Sequence, residues 1–231
     1  MNDVKWITKN GVHIPITNKF MNSFIRNIAS KDALKDRQEL EKNNIEEKEK
    51  LTQKRDEILK DEDLRKSIAK YTSDSDYINK EARNNDLYND DIKNIDKAIS
   101  KSYNEKPILL FRGEQKTIDK YKDLKKGDVL PISSYLSTSF RKDTAEFYRA
   151  YDYNKDYYET LFEIRTPAKT NLLYIGDKSN YDTEEEVLLA RNLKYKVLSI
   201  KEEKYDKMYF VAMDKIERKQ KYKHIVLEVM K

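Results

Sequence analysis

Hydrophobic and polar positions change rhythm near residue 107. Before that point apolar residues recur at helical spacing. After it they come in short runs bounded by turn residues, the mark of strands. Residues 3–16 are the exception in the first half: apolar runs on either side of Asn10-Gly11 predict a small hairpin, and Pro15 suits an edge strand. Phe20, Met21, Phe24, Ile25 and Ile28 form a helical stripe over 17–31. The next stretch, to about residue 60, is mostly charged. Its thin seam of Leu34, Leu40, Ile45, Leu51 and Ile58 predicts a long exposed helix or helical hairpin, with a coiled coil of poor heptads as the alternative. Helices follow over 64–71, through Tyr77, Ile78 and Ala82, and over 87–102, with the Thr-Ser-Asp-Ser-Asp turn capping between the first two.

Strand-like runs begin with ILLFRGE (108–114), where Gly113 permits a sharp exit from the strand. DVLPISSYLSTSF (128–140) places Ser137-Thr138-Ser139 behind a second strand, and a helix follows with Asp143 as a cap. The remaining strands are 159–166, 171–177, 184–191 and three more in YKVLSIKEE, KMYFVAMDK and HIVLEVMK. The spacing is short and no helices intervene. The fold class is therefore α+β: N-terminal helices, then a mostly antiparallel β core. Residues 1–60 read as a hairpin and charged helical extension, and 61–231 as the domain that carries the chemistry.

Composition narrows that chemistry. The 231 residues are 39% charged, yet 47 basic and 42 acidic side chains are interleaved, so the net charge of +5 does not imply nucleic-acid binding. There is no Cys and there are only two His, which disfavours disulfides, thiolate metal sites and His-based triads. No apolar run approaches the ~20 residues of a membrane span, and MNDVKWITKNG lacks a signal-peptide apolar region. The work falls to Arg, Ser, Thr, Tyr, Asp and Glu.

Three polar signals sit at strand ends: Arg112-Gly113, Ser137-Thr138-Ser139, and Glu184-Glu185-Glu186 leading into an apolar run. Strand alternation would put Glu184 and Glu186 on one face and Glu185 on the other. Two carboxylates on one face repel, which points to a shared site. Asp182-x-Glu184 is a second acid pair in a different register.

In this order and placement the signals resemble the NAD-dependent mono-ADP-ribosyltransferases of the Arg-Ser-Glu class, which include the binary actin-modifying toxins, the Rho-modifying clostridial exoenzymes and phage-encoded enzymes. The resemblance covers 62–231 through FRGE, YLSTSF, EEEVLLARN, the lead-in IAKYTSDSDYINKEAR, and LFEIRTPAKTNLLYI, where the family commonly has Gly in place of Lys169. KWITKNGVHIPI is similar to segments of phage head-associated proteins. The resemblance implies two packed β-sheets with NAD bound in the cleft between them, and no metal. Catalytic roles would fall on Glu186, Glu184, Ser137 and Arg112. Glu186 would stabilise the oxocarbenium-like transition state, Ser137 would orient it, and Arg112 would hold the phosphates. Gly113, Thr138 and Ser139 would line the cofactor cleft, with Asn79 and Arg83 on a facing helix and Phe140 and Tyr148 over nicotinamide. Placing the catalytic Glu directly before the apolar run selects Glu186, and leaves Glu185 outward and dispensable. Glu184, as Glu and not Gln, would select arginine as acceptor, with Tyr181 and the loop 175–183 contacting it.

The implied activity is transfer of ADP-ribose to a host target protein. Two other readings use the same features: an NAD glycohydrolase, with water as acceptor, and a catalytically silent binding module. The extension 1–60 would serve a delivery or capsid partner, and the site of action would be the cytoplasm of a host or target cell.

Overall fold

A computed structural model describes residues 5–9, 12–16, 18–84, 89–150, 157–176, 184–211 and 214–230, with side chains from residue 34 onward except 206–219. The chain forms two compact units, Met1–Lys42 and Asn43–Lys231. In the first, β1 (Lys5–Lys9) and β2 (Val12–Ile16) pair antiparallel with Trp6 opposite Pro15. The Asn10-Gly11 turn lies outside the described residues. Helix α1 (Asn18–Ile58) is a single uninterrupted helix rather than a helical hairpin, as a stretch without Gly or Pro allows.

The second unit begins well before the expected boundary at residue 60, because the last turns of α1 belong to it. Their buried face is largely polar. Leu51 is fully buried in the core, but Ile45 is exposed. Asn44 instead brackets the backbone of Leu109, donating to its carbonyl at 2.7 Å and accepting from its amide at 2.9 Å. Asn43 donates to the Pro107 carbonyl at 2.9 Å, and buried Glu47 accepts from the Glu105 amide at 2.6 Å. These side chains satisfy backbone groups that enter the sheet without a neighbouring strand.

Three capped helices follow. Asp61 caps α2 (Glu62–Ser73), Asp74 caps α3 (Ser75–Arg83) and Asn89 caps α4 (Asp90–Ser100), each accepting from backbone amides of the first turn. Their apolar faces, including Leu64, Ile68, Ile78, Ile92 and Ile95, pack with Leu173, Ile175 and Leu188 of the sheet.

The strands are β3 (Ile108–Lys116), β4 (Val129–Ile132), β5 (Leu136–Ser139), β6 (Tyr158–Thr166), β7 (Leu172–Tyr174), β8 (Glu186–Leu189), β9 (Leu193–Val211) and β10 (Asp214–Val229), with α5 (Lys142–Ala150) after β5. They form one continuous eight-stranded mixed sheet in the order β4-β9-β10-β6-β3-β5-β8-β7. Only β10 and β6 pair in parallel. The expected pair of separate sheets is not what the hydrogen bonds draw: β3 and β5 are joined through a single register pair, Phe111 with Ser139. One core cluster takes residues from both sides of that junction, among them Leu110, Phe162, Val187, Leu189, Val197 and Leu227. Alternation reports that shared core faithfully, but it says nothing about whether a ladder continues between two halves.

Two further expectations change. KMYFVAMDK is not a strand of its own; it spans the end of β9 and the start of β10, which pair in one long hairpin. Gly113 does not end a strand. It sits inside β3, where a Cβ would collide with the carbonyl oxygen of Ala145 and the amide nitrogen of Arg149, so its bare backbone lets α5 lie against the sheet.

Candidate active site

A cleft of about 400 Å³ opens beside the β3–β5 junction, a volume within the range of small-molecule sites. Arg112, Gly113, Ser137, Thr138, Ser139, Tyr148, Glu184 and Glu186 all line it. It also takes in Tyr71, Thr72, Ser75 and Asp76 from the α2–α3 corner and Thr144 and Ala145 from α5, none of which was singled out from the sequence.

The three strand-end signals are tied to one another. Arg112 Nη1 donates to the Ser137 carbonyl at 2.7 Å, and the Ser137 hydroxyl donates to Glu186 Oε1. Behind them runs a chain of donors. Asn79 Nδ2 donates to the Tyr71 hydroxyl at 3.3 Å, and Tyr71 stands 3.3 Å from Ser137 Oγ. Since Tyr71 accepts from Asn79 and Ser137 donates to Glu186, the Tyr71 proton points to Ser137, and the series orients the Glu186 carboxylate. Tyr71 is buried, and burial is the main force holding its hydroxyl protonated. Thr138 Oγ1 donates to the Val187 carbonyl at 2.7 Å, and Ser139 Oγ to the Glu184 carbonyl at 2.5 Å. The Ser-Thr-Ser strand thus carries the strand of glutamates along its length.

Glu184 and Glu186 do reach the same cleft, by a route other than strand alternation. Strand β8 begins only at Glu186. Glu185, between them, is in the left-handed region at φ 48°, a conformation costly for a residue with a Cβ. Its carboxylate forms an ion pair with Lys48 of α1 at 2.7 Å. Burial pushes the Glu184 carboxyl up from its ordinary range, opposed by a hydrogen bond from the Tyr148 hydroxyl.

Other expected contacts fall elsewhere. Asn79 acts from behind the cleft through Tyr71 and does not line it. Arg83 is exposed near the end of α3, away from the lining. Phe140, the residue after β5, is buried in the core, 5.8 Å from the Tyr174 ring. Tyr181 and Asp182 lie outside the described residues, as does 177–183 of the acceptor loop. Tyr71 could have been found from its place at the end of α2, directly before the capping turn, but as one of 17 tyrosines it carries no mark of its own. Among the described residues no group of three or more His, Asp or Glu could hold a metal ion, and no helix is long and apolar enough to cross a membrane.

The fold has counterparts among solved structures. The fold is similar to that of Plx2a, an ADP-ribosyltransferase toxin from Paenibacillus larvae, with a TM-score of 0.59 at 21% identity, covering 85% of this chain and 97% of that one. It is also similar to C3stau2 from S. aureus, solved with NAD, with a TM-score of 0.55 at 17% identity over 79% and 95% of the two chains. The fold is that of the ADP-ribosyltransferase toxins. The sequence model of the ADP-ribosyltransferase exoenzyme family matches residues 33–229, and the chain belongs to that family, whose co-substrate is NAD. A curated relative, the NAD(+)–arginine ADP-ribosyltransferase EFV of Enterococcus faecalis, is 38% identical over 107 residues. That match is 46% of this chain and 21% of the relative, so the chain spans about a fifth of that protein's length.

Proposed function

We propose that the protein cleaves the bond between nicotinamide and ribose in NAD⁺ and transfers the ADP-ribose to an arginine side chain of a target protein. The observation that carries the reading is the pair of carboxylates, Glu184 and Glu186, lining one cleft with Arg112. As the bond breaks, its electron pair goes to the nicotinamide nitrogen, which becomes neutral, and positive charge grows on the ribose. Glu186, held by Ser137, stabilises that charge more strongly in the transition state than in the ground state. Arg112 contributes a planar cation suited to the pyrophosphate, with one N–H already committed to fixing the Ser137 backbone.

Glu184 supplies the acceptor chemistry. A guanidinium is a poor nucleophile, and the new bond from its nitrogen to the ribose carbon requires loss of a proton. A carboxylate whose pKa is raised by burial is a better acceptor for that proton than an ordinary one, and its charge also attracts the guanidinium. The arginine transferase named among the relatives supports this acceptor. The target would be a host protein, met in the cytoplasm of the host or target cell. Residues 1–42, a separate compact unit, would engage a delivery or capsid partner.

The test is to incubate the protein with labelled NAD⁺ and agmatine, a small guanidine, beside Glu186→Gln and Glu184→Gln. The reading requires that Glu186→Gln abolish nicotinamide release and that Glu184→Gln lose transfer while keeping release. Nicotinamide release with no labelled agmatine or protein would make the enzyme a glycohydrolase; no cleavage at all would make the domain a binding module.

A further inference from the structure

The second half of α1 grips the chain ahead of the glutamates and at the middle one of the three. Arg55 is buried, and its Nη1 donates to the Ile175 carbonyl at 3.1 Å while its guanidinium lies 5.6 Å from the Tyr174 ring. Two helical turns earlier on the same face, Lys48 pairs with Glu185 at 2.7 Å. Leu51, between them, is locked in the core. The gripped segments are also joined to each other, since the Ile175 amide donates to the Glu186 carbonyl at 2.8 Å and Tyr174 pairs with Val187.

The two grips do different work. Glu186 is inside the β8 ladder and is held independently by Ser137. Glu184 precedes the strand, and the turn that aims it at the cleft is the left-handed Glu185. Among the described residues, the carboxylate of Glu185 is held by an ion pair with Lys48. The Glu185 carbonyl further accepts from the Phe140 amide at 3.3 Å and the Glu184 carbonyl from Ser139 Oγ at 2.5 Å, so β5 fixes the backbone of the turn and the Lys48 pair is the ionic tie at Glu185 itself.

We propose that Lys48 and Arg55 are positioning residues, and that the Lys48–Glu185 ion pair sets how ADP-ribose is divided between a guanidine acceptor and water by holding the turn that presents Glu184. The proposal rests on the arginine reading given above. A helix that composition presents as a solvated spacer is, over its last turns, part of the specificity apparatus.

Lys48→Ala, Lys48→Glu, and Lys48→Glu combined with Glu185→Lys separate this from a merely structural role. In each, labelled agmatine and free ADP-ribose are measured together, with the KM for NAD⁺. Displacing an acceptor-binding carboxylate by an ångström lowers its rate by up to ~100-fold, so the ratio of transfer to hydrolysis is expected to fall about tenfold in Lys48→Ala and further in Lys48→Glu. The KM for NAD⁺ should not change, and the charge swap should restore the ratio. Amide exchange at Phe140, read by NMR on the same proteins, should quicken in the single variants and recover in the swap. An unchanged ratio in both single variants, or a swap that restores nothing, overturns the proposal. Should the wild type label no guanidine, the arginine reading fails, and the positioning role is decided by Phe140 exchange alone, with unaltered protection counting against it.

Discussion

Gly113 of β3 lies directly against the backbone of α5, so that a Cβ on Gly113 would occupy the place of the Ala145 carbonyl oxygen. Backbone atoms of a helix cannot rotate away as a side chain can. Gly113→Ala must therefore push α5 off the sheet, and α5 carries Thr144, Ala145 and Tyr148 into the cleft. The substitution is expected to cost about 2 kcal/mol or more in urea denaturation, as overpacking does, and to abolish NAD⁺ binding in a fluorescence titration.

The donor chain ending at Glu186 makes a graded expectation. Ser137→Ala removes the hydrogen bond to the carboxylate and should lower kcat for nicotinamide release by roughly 10- to 100-fold, as loss of a group that orients a catalytic residue does. Tyr71→Phe removes the next donor and should cost less, about 3-fold. Both proteins should stay folded by circular dichroism. Equal effects from the two would mean that Tyr71 touches substrate itself.

Glu184 gives a pH signature. Its folded pKa lies above its unfolded one, because burial disfavours the charge. In the window between the two values the folded state holds more protons, so stability falls as pH rises through it. Glu184→Gln removes a partly buried charge, and near neutral pH it should leave the melting temperature unchanged or slightly raised. The proposed base must be ionised, so transfer to agmatine should decline as pH falls through the raised pKa. Nicotinamide release, which relies on Glu186, should not follow the same curve. Coincident pH profiles for the two products would count against Glu184 as the proton acceptor.

Under α5 lies a buried charge pair. Arg149 Nη1 meets Glu159 at 2.7 Å, and the guanidinium stands 4.3 Å from the Tyr205 ring and 3.9 Å from the Tyr222 ring. Tyr205 also donates to Glu159, at 2.6 Å. Glu159→Ala leaves a cation buried with only Glu146 to balance it and should cost about 3 kcal/mol in denaturant unfolding. Glu159→Gln keeps the acceptor for Tyr205 and should cost less.

The sequence exposes what repeats and hides what happens once. The strand ends holding Arg112, Ser137 and Glu186 are visible because each adjoins an apolar run, and the capping Asp74 because it interrupts a helical stripe. The left-handed turn at Glu185 carries no such mark, since nothing in three successive glutamates says which one leaves the strand geometry. The same holds for Lys169, at φ 64° in a turn where the family commonly has Gly. Its amide bonds to the Asn104 carbonyl at 2.7 Å and its ammonium sits 4.1 Å from the Tyr103 ring, contacts that offset the strain. The polar face of α1 was illegible for another reason: Asn43, Asn44, Glu47 and Arg55 are buried through hydrogen bonds, and hydrophobic patterning cannot register burial of that kind. Nor can an apolar run such as MYFV reveal that it closes one long strand and is no strand of its own.

The position of β10 has a consequence for the order of events at the ribosome. Over Tyr222–Glu228 it is flanked on both sides, by β6 and by β9, although it follows all the other described strands in the chain. Arg112, Ser137 and Glu186 leave the exit tunnel long before it does, onto a sheet whose middle is still missing. The parallel β10–β6 pairing joins distant parts of the chain and is slow to form for that reason. An enzyme with the proposed activity would thus stay unassembled until β10 has emerged, sparing the NAD⁺ of the cell that makes it in the meantime.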